Sequence, residues 1–191
     1  DRVAIGAKYN GDGNAGHTRV YAYSDNAWTQ LGSDIDGEAD SDNSGWSVSL
    51  NDAGDRVAIG AYYNDGNGTN AGHTRVYALS SGSWTQLGSD VNGEASNDES
   101  GYSVSLNSDG DRMAIGAPYN DGTGSNAGHV RIYEYSGGSW SQLGSDIDGE
   151  ASWDESGCAV SLNNAGDRVA IGAKYNGDGN AGHTRVYAYS D

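Results

Sequence analysis

The sequence predicts an all-β chain of tandem four-stranded antiparallel sheets, and three observations predict it. The string Asp-Arg-(Val/Met)-Ala-Ile-Gly-Ala begins at Asp1, Asp55, Asp111 and Asp167, so the chain is a repeat array with a period of 54 to 56 residues. Its composition favours turns and strands: 31 Gly, 13 Tyr and 5 Trp stand against one Pro and no Phe. No stretch carries helical periodicity; apolar and polar residues alternate instead.

The second copy shows each element in order. "SGWSVSL" places Trp46, Val48 and Leu50 on one face and Ser47 and Ser49 on the other, the alternation of a strand. "NDAGD" then turns the chain. "RVAIGA" puts Val57, Ile59 and Ala61 on one face and Ala58 and Gly60 on the other, a flat side that a neighbouring sheet can approach closely. "GHTRVYAL" and "SWTQLGSD" supply the third and fourth strands. A lone sheet of this size cannot bury both faces, so it must stack on its neighbours, as the blades of a β-propeller do. The expected divisions are a partial blade at 1–44 (strands two to four), full blades at 45–100 and 101–156, and a partial blade at 157–191 (strands one to three).

The stretch "SGYSVSLNSDGDRMAIGAPYNDGTGSNAGHVRIYEYSGGSW", Ser100 to Trp140, resembles an FG-GAP repeat of the kind that builds integrin α-subunit propellers and many bacterial and algal surface proteins. The literal Gly-Ala-Pro occurs only at Gly116, Ala117 and Pro118, and Ser-Gly replaces Phe-Gly throughout, which marks a diverged, tandemly duplicated branch. The resemblance implies a propeller-type fold and an extracellular or cell-surface setting.

Residues 1–25 recur without change as 167–191. Two accounts follow: the array continues with a 166-residue unit, or redundant terminal strands pair with another copy. Both predict self-association or continuation of the array, with a fibre as one form.

The net charge of −17 repels a nucleic acid backbone. No apolar run approaches membrane-spanning length, so no membrane insertion is expected. The single cysteine, Cys158, occupies the position of Trp46 and Tyr102 in sister repeats and reads as an apolar substitute.

Three acidic segments carry the candidate metal ligands: Asp34, Asp36, Glu38 and Asp42; Asp90, Asn92, Glu94 and Asp98; Asp146, Asp148, Glu150 and Asp154. Alternating oxygen side chains on a tight loop can converge on calcium, which favours six to eight oxygen ligands. The integrin-like calcium loop lies between the first two strands, where this chain has only "NDAGD", "NSDGD" or "NNAGD", so the family's metal residues do not transfer. A solvated acidic connection is the alternative.

Asn67-Gly68-Thr69 is the one glycosylation sequon. Trp153 stands in an acidic loop where its sisters are Ser41 and Asn97, and is read as an exposed contact residue. His17, His73, His129 and His183 open the third strands and read as structural. The arginines are expected to hold acidic turns.

Because every feature recurs in each blade, the sequence offers no single asymmetric pocket, and no catalytic residue is expected. The expectation is a non-enzymatic extracellular scaffold of stacked blades. The alternative is a calcium-dependent adhesion or lectin-like module holding carbohydrate or a protein partner.

Overall fold

The computed structural model describes residues 1–10 and 12–189. It is built almost wholly of antiparallel strands, arranged as four sheets. The first contains β1 (Arg2–Ala7), β2 (His17–Ser24), β3 (Ala27–Gln30) and β4 (Ile35–Asp36). The second contains β5 (Ser47–Leu50), β6 (Arg56–Ala61), β7 (His73–Ser80), β8 (Ser83–Gln86) and β9 (Val91–Asn92). The third repeats that set as β10 (Ser103–Leu106), β11 (Arg112–Ala117), β12 (His129–Ser136), β13 (Ser139–Gln142) and β14 (Ile147–Asp148). The fourth contains β15 (Ser156–Leu162), β16 (Arg168–Ala173) and β17 (His183–Ala188).

The fourth strand expected from the sequence is broken. In the second sheet β8 and β9 both pair with β7, at Tyr77 to Ser80 and at His73 and Thr74 respectively. Between them Leu87 N–H donates to Val76 O (2.7 Å), and Gly88 adopts φ 76°. That left-handed conformation suits glycine, and it bends the outer strand without detaching it.

The sheets stack face to face, and each seam is a small apolar core. Val20 and Ile35 of the first sheet meet Val57 and Ile59 of the second. Ala58, Val76 and Val91 meet Val104, Leu106, Met113 and Ile115 at the next seam. Ala114 and Val130 meet Val169 and Ile171 at the last. Thus one face of each sheet presents a valine and the opposite face an isoleucine, alternately to the sheet after and the sheet before.

Close approach of backbone fixes the inner edge. A Cβ at Gly60 would lie 2.0 Å from Gly101 O, and one at Gly116 would lie 2.0 Å from Gly157 O. Ser47 Oγ donates to Gly101 O and Ser103 Oγ to Gly157 O, each at 2.7 Å. On the outer edge, Trp84 Nε1 donates to Leu31 O and Trp140 Nε1 to Leu87 O, both at 2.8 Å. Among the described residues the third seam has no such indole, and a cavity of about 190 Å³ opens there against Leu143, Gly144, Leu162 and Tyr187.

Candidate functional site

The acidic segments lie at the seams, and the structure sends their side chains to different places. Asp34 accepts from Arg19 Nε (2.9 Å), Arg19 Nη2 (2.7 Å) and Gln30 Nε2 (2.7 Å) within its own sheet. These bonds, Arg19 foremost, hold its carboxyl well below the usual range. Asp90 and Asp146 take the same position and accept from Gln86 and Gln142 at 2.6 Å. Asp36, Asn92 and Asp148 lie on the short outer strands, where the carbonyls of Asp36 and Asn92 accept from Arg75 and Arg131 of the following sheet.

Glu38 and Glu94 reach forward to Arg75 Nη1 (3.0 Å) and Arg131 Nη1 (3.3 Å). Glu150 does the same with Arg185. Asp42, Asp98 and Asp154 are buried, and each accepts from the Asn side chain of the next sheet: Asn64, Asn120 and Asn176. The four positions of one segment therefore serve one contact within the sheet and several across the seam. The expected arginine clamps are present.

The Asn67 side-chain amide donates to Gly93 O (2.8 Å), so the sequon loop rests on the acidic segment. Trp153 is 60% exposed and adopts φ 72°. His17, His73 and His129 are buried at the starts of their strands.

A second cluster was not read from the sequence. At the entry to the innermost strands, Trp46 packs in tilted contact against Tyr62 (centroids 4.9 Å apart) and Tyr102 (5.4 Å), and Tyr102 meets Tyr119 edge-on at 6.3 Å. Lys8 Nζ caps Trp46 at 3.9 Å. At the other end Lys174 Nζ lies 2.6 Å from Glu155 Oε2. Burial, reinforced by the Glu155 charge, pushes the Glu99 carboxyl up to about 7. Burial likewise raises Cys158, whose sulfur lies 3.4 Å from Gly172 O.

This rim is one place where the near-identical repeats differ in chemistry. Lys8, Tyr62, Pro118 and Lys174 are sister positions; so are Trp46, Tyr102 and Cys158, and so are Asn43, Glu99 and Glu155. Comparing repeats for what changes, rather than for what recurs, would have found it.

No curated protein sequence matches the chain significantly. Solved structures share its fold, and two of them illustrate it. A chain described as a 6-phosphogluconolactonase from Bacteroides uniformis superposes with a TM-score of 0.61 at 9% identity, over 95% of this chain and 46% of that one. The periplasmic gluconolactonase PpgL of Pseudomonas aeruginosa gives 0.58 at 16% identity, over 98% of this chain and 50% of that one. The chain thus spans about half the length of each.

These likenesses correct the expectation that the chain is not an enzyme: proteins named as lactonases are built on this fold. The sequence argument failed because it took all the blades as equivalent, whereas the side chains at the rim vary from blade to blade. The FG-GAP repeat model matches residues 34–77 and 91–133. Those two segments are tandem FG-GAP repeats of diverged sequence, folded as open, propeller-type β-sheets.

Proposed function

We propose that the chain is a self-associating scaffold module, in which the first sheet of one copy docks on the fourth sheet of another. One observation carries this reading. Ile59, Ile115 and Ile171 are each 2% exposed, yet their sister Ile5 is 51% exposed; Val20 and Val76 are each 1% exposed, yet their sister Val186 is 69% exposed. Each inner seam pairs a valine face with an isoleucine face, and the two open faces are of those opposite kinds. A head-to-tail contact reproduces the internal seam, and burial of apolar surface drives it.

Trp28 adds to the same open face: it is 52% exposed, whereas its sisters Trp84 and Trp140 are seated on the preceding sheet. The half-length match to solved chains supports two copies closing one ring, and a contact that does not close gives a filament. A cell-surface or extracellular role for such an assembly is part of the proposal. Sedimentation equilibrium across a wide concentration range tests it. Association beyond 19.8 kDa is expected, and a monomer at every concentration would overturn it.

The rim supports a second reading, a site for a polyhydroxylated ligand. Aromatic faces flanked by Lys8, Glu99 and Lys174 offer stacking beside hydrogen-bonding groups. Quenching of tryptophan fluorescence by simple sugars and aldonolactones, lost in Trp46→Ala, is the expected signal. No response from the intact chain would remove this reading.

A further inference from the structure

We propose that each inner seam is a binding site for a divalent transition metal of the zinc class, held by Glu38, His73 and Asp90 at one seam and by Glu94, His129 and Asp146 at the next. In each trio one donor atom from every residue lies within 4.8 Å of the other two. His73 Nδ1 is 4.0 Å from Glu38 Oε2 and 3.7 Å from Asp90 Oδ2. His129 Nδ1 is 4.0 Å from Glu94 Oε2 and 3.6 Å from Asp146 Oδ2. Ligand atoms on a tetrahedral zinc with bonds of about 2.1 Å are roughly 3.4 Å apart, so each histidine nitrogen must approach its two carboxylates by about 0.2 to 0.6 Å to close the site.

A second observation points to a ligand. His73 is 1% exposed and its Nδ1 has no hydrogen-bond partner. A buried nitrogen left unpaired is costly unless something occupies its lone pair. Both carboxylates are held by one oxygen and offer the other. Arg75 Nη1 takes Glu38 Oε1 (3.0 Å) and leaves Oε2; Gln86 Nε2 takes Asp90 Oδ1 (2.6 Å) and leaves Oδ2. That is how outer contacts orient metal ligands.

The first sheet shows what the seam adds. There His17, Asp34 and Asp36 also come within 4.8 Å of one another, but among the described residues no glutamate joins them, and Arg19 takes both oxygens of Asp34. In the inner seams the glutamate draws the arginine away and frees the aspartate. At the last seam Glu150 pairs with Arg185, but the described residues supply no aspartate beside His183. One nitrogen and two carboxylates, completed by water as a fourth ligand, favour zinc over calcium, which demands more oxygens. Each ion would bridge two sheets, because the glutamate comes from one and the histidine and aspartate from the next.

The metal-free chain, residues 1–191, is titrated with Co²⁺ in excess Ca²⁺ and Mg²⁺, followed by visible absorption, and then with Zn²⁺. The expected result is two tetrahedral Co²⁺ per chain, displaced by Zn²⁺, falling to one in Glu38→Gln and to none in Glu38→Gln/Glu94→Gln. Glutamine still accepts from the arginine through its carbonyl, so these variants keep the seam intact, which circular dichroism checks. Absence of tetrahedral Co²⁺ in the intact chain, or undiminished binding in the double variant, overturns the proposal.

Discussion

The inner and outer sheets share almost the same sequence and live in different surroundings. Val76 and Val186 occupy one position of one repeat, yet the first is 1% exposed and the second 69%. Gly116 and Gly172 are sisters as well. A Cβ on Gly116 would strike Gly157 O at 2.0 Å, whereas one on Gly172 would find Ala159 Cβ at 3.5 Å, an ordinary contact. Burial here belongs to the seam and not to the residue. A repeat specifies two sticky faces, and the neighbour decides which becomes core.

The sharpest way to break this comparison is at the glycines. Gly116→Ala is expected to cost about 3 kcal/mol or more, because a backbone carbonyl cannot move aside cheaply, while Gly172→Ala stays within about 1 kcal/mol. Urea denaturation of the two variants checks it; equal losses would mean that close sheet approach does not set the tolerance.

Next are the isoleucines. Ile115→Ala should destabilise by about 2 to 5 kcal/mol through the cavity it leaves. Ile5→Ala, measured where the chain is monomeric, should cost less than about 1 kcal/mol. The outer tryptophans follow the same rule. Trp140→Ala removes a half-buried indole and leaves Leu87 O without its donor, for about 2 kcal/mol; Trp28→Ala should barely change monomer stability.

The smallest effect concerns the rim. Glu99 has its carboxyl raised to about 7, so the folded chain holds a proton that the unfolded chain releases near the ordinary glutamate value. Its contribution is therefore fully present at low pH and is lost as pH rises through about 7. Stability measured by urea midpoint should fall between pH 5 and pH 8, and Glu99→Gln should flatten that slope.

Much of the fold was legible because strands announce themselves by alternation. Val57, Ile59 and Ala61 face one way in both sequence and structure, and the flat Gly60 side does receive a neighbouring backbone. The break in the outer strand was hidden, since Gly88 reads as an ordinary turn residue and only pairing to β7 on both sides shows a bulge. The site was harder. Asp34, Asp36, Glu38 and Asp42 are close in sequence, but alternation and the chain's forward path carry Glu38 and Asp42 into the following sheet. The partnership of Glu38 with His73 spans a seam that local spacing cannot reveal. The rim escaped for a different reason, because it consists of the positions at which the repeats depart from their own pattern.

The central claim is that the Val186 face and the Ile5 face are complementary halves of a seam. The most direct test is complementation in the analytical ultracentrifuge. Val186→Glu and Ile5→Glu each spoil one face and leave the other, so each alone should stay at 19.8 kDa. Their equimolar mixture retains one intact pair of faces and should form a heterodimer of twice that mass. A mixture that remains monomeric, or single variants that associate as well as the parent chain, would contradict the account.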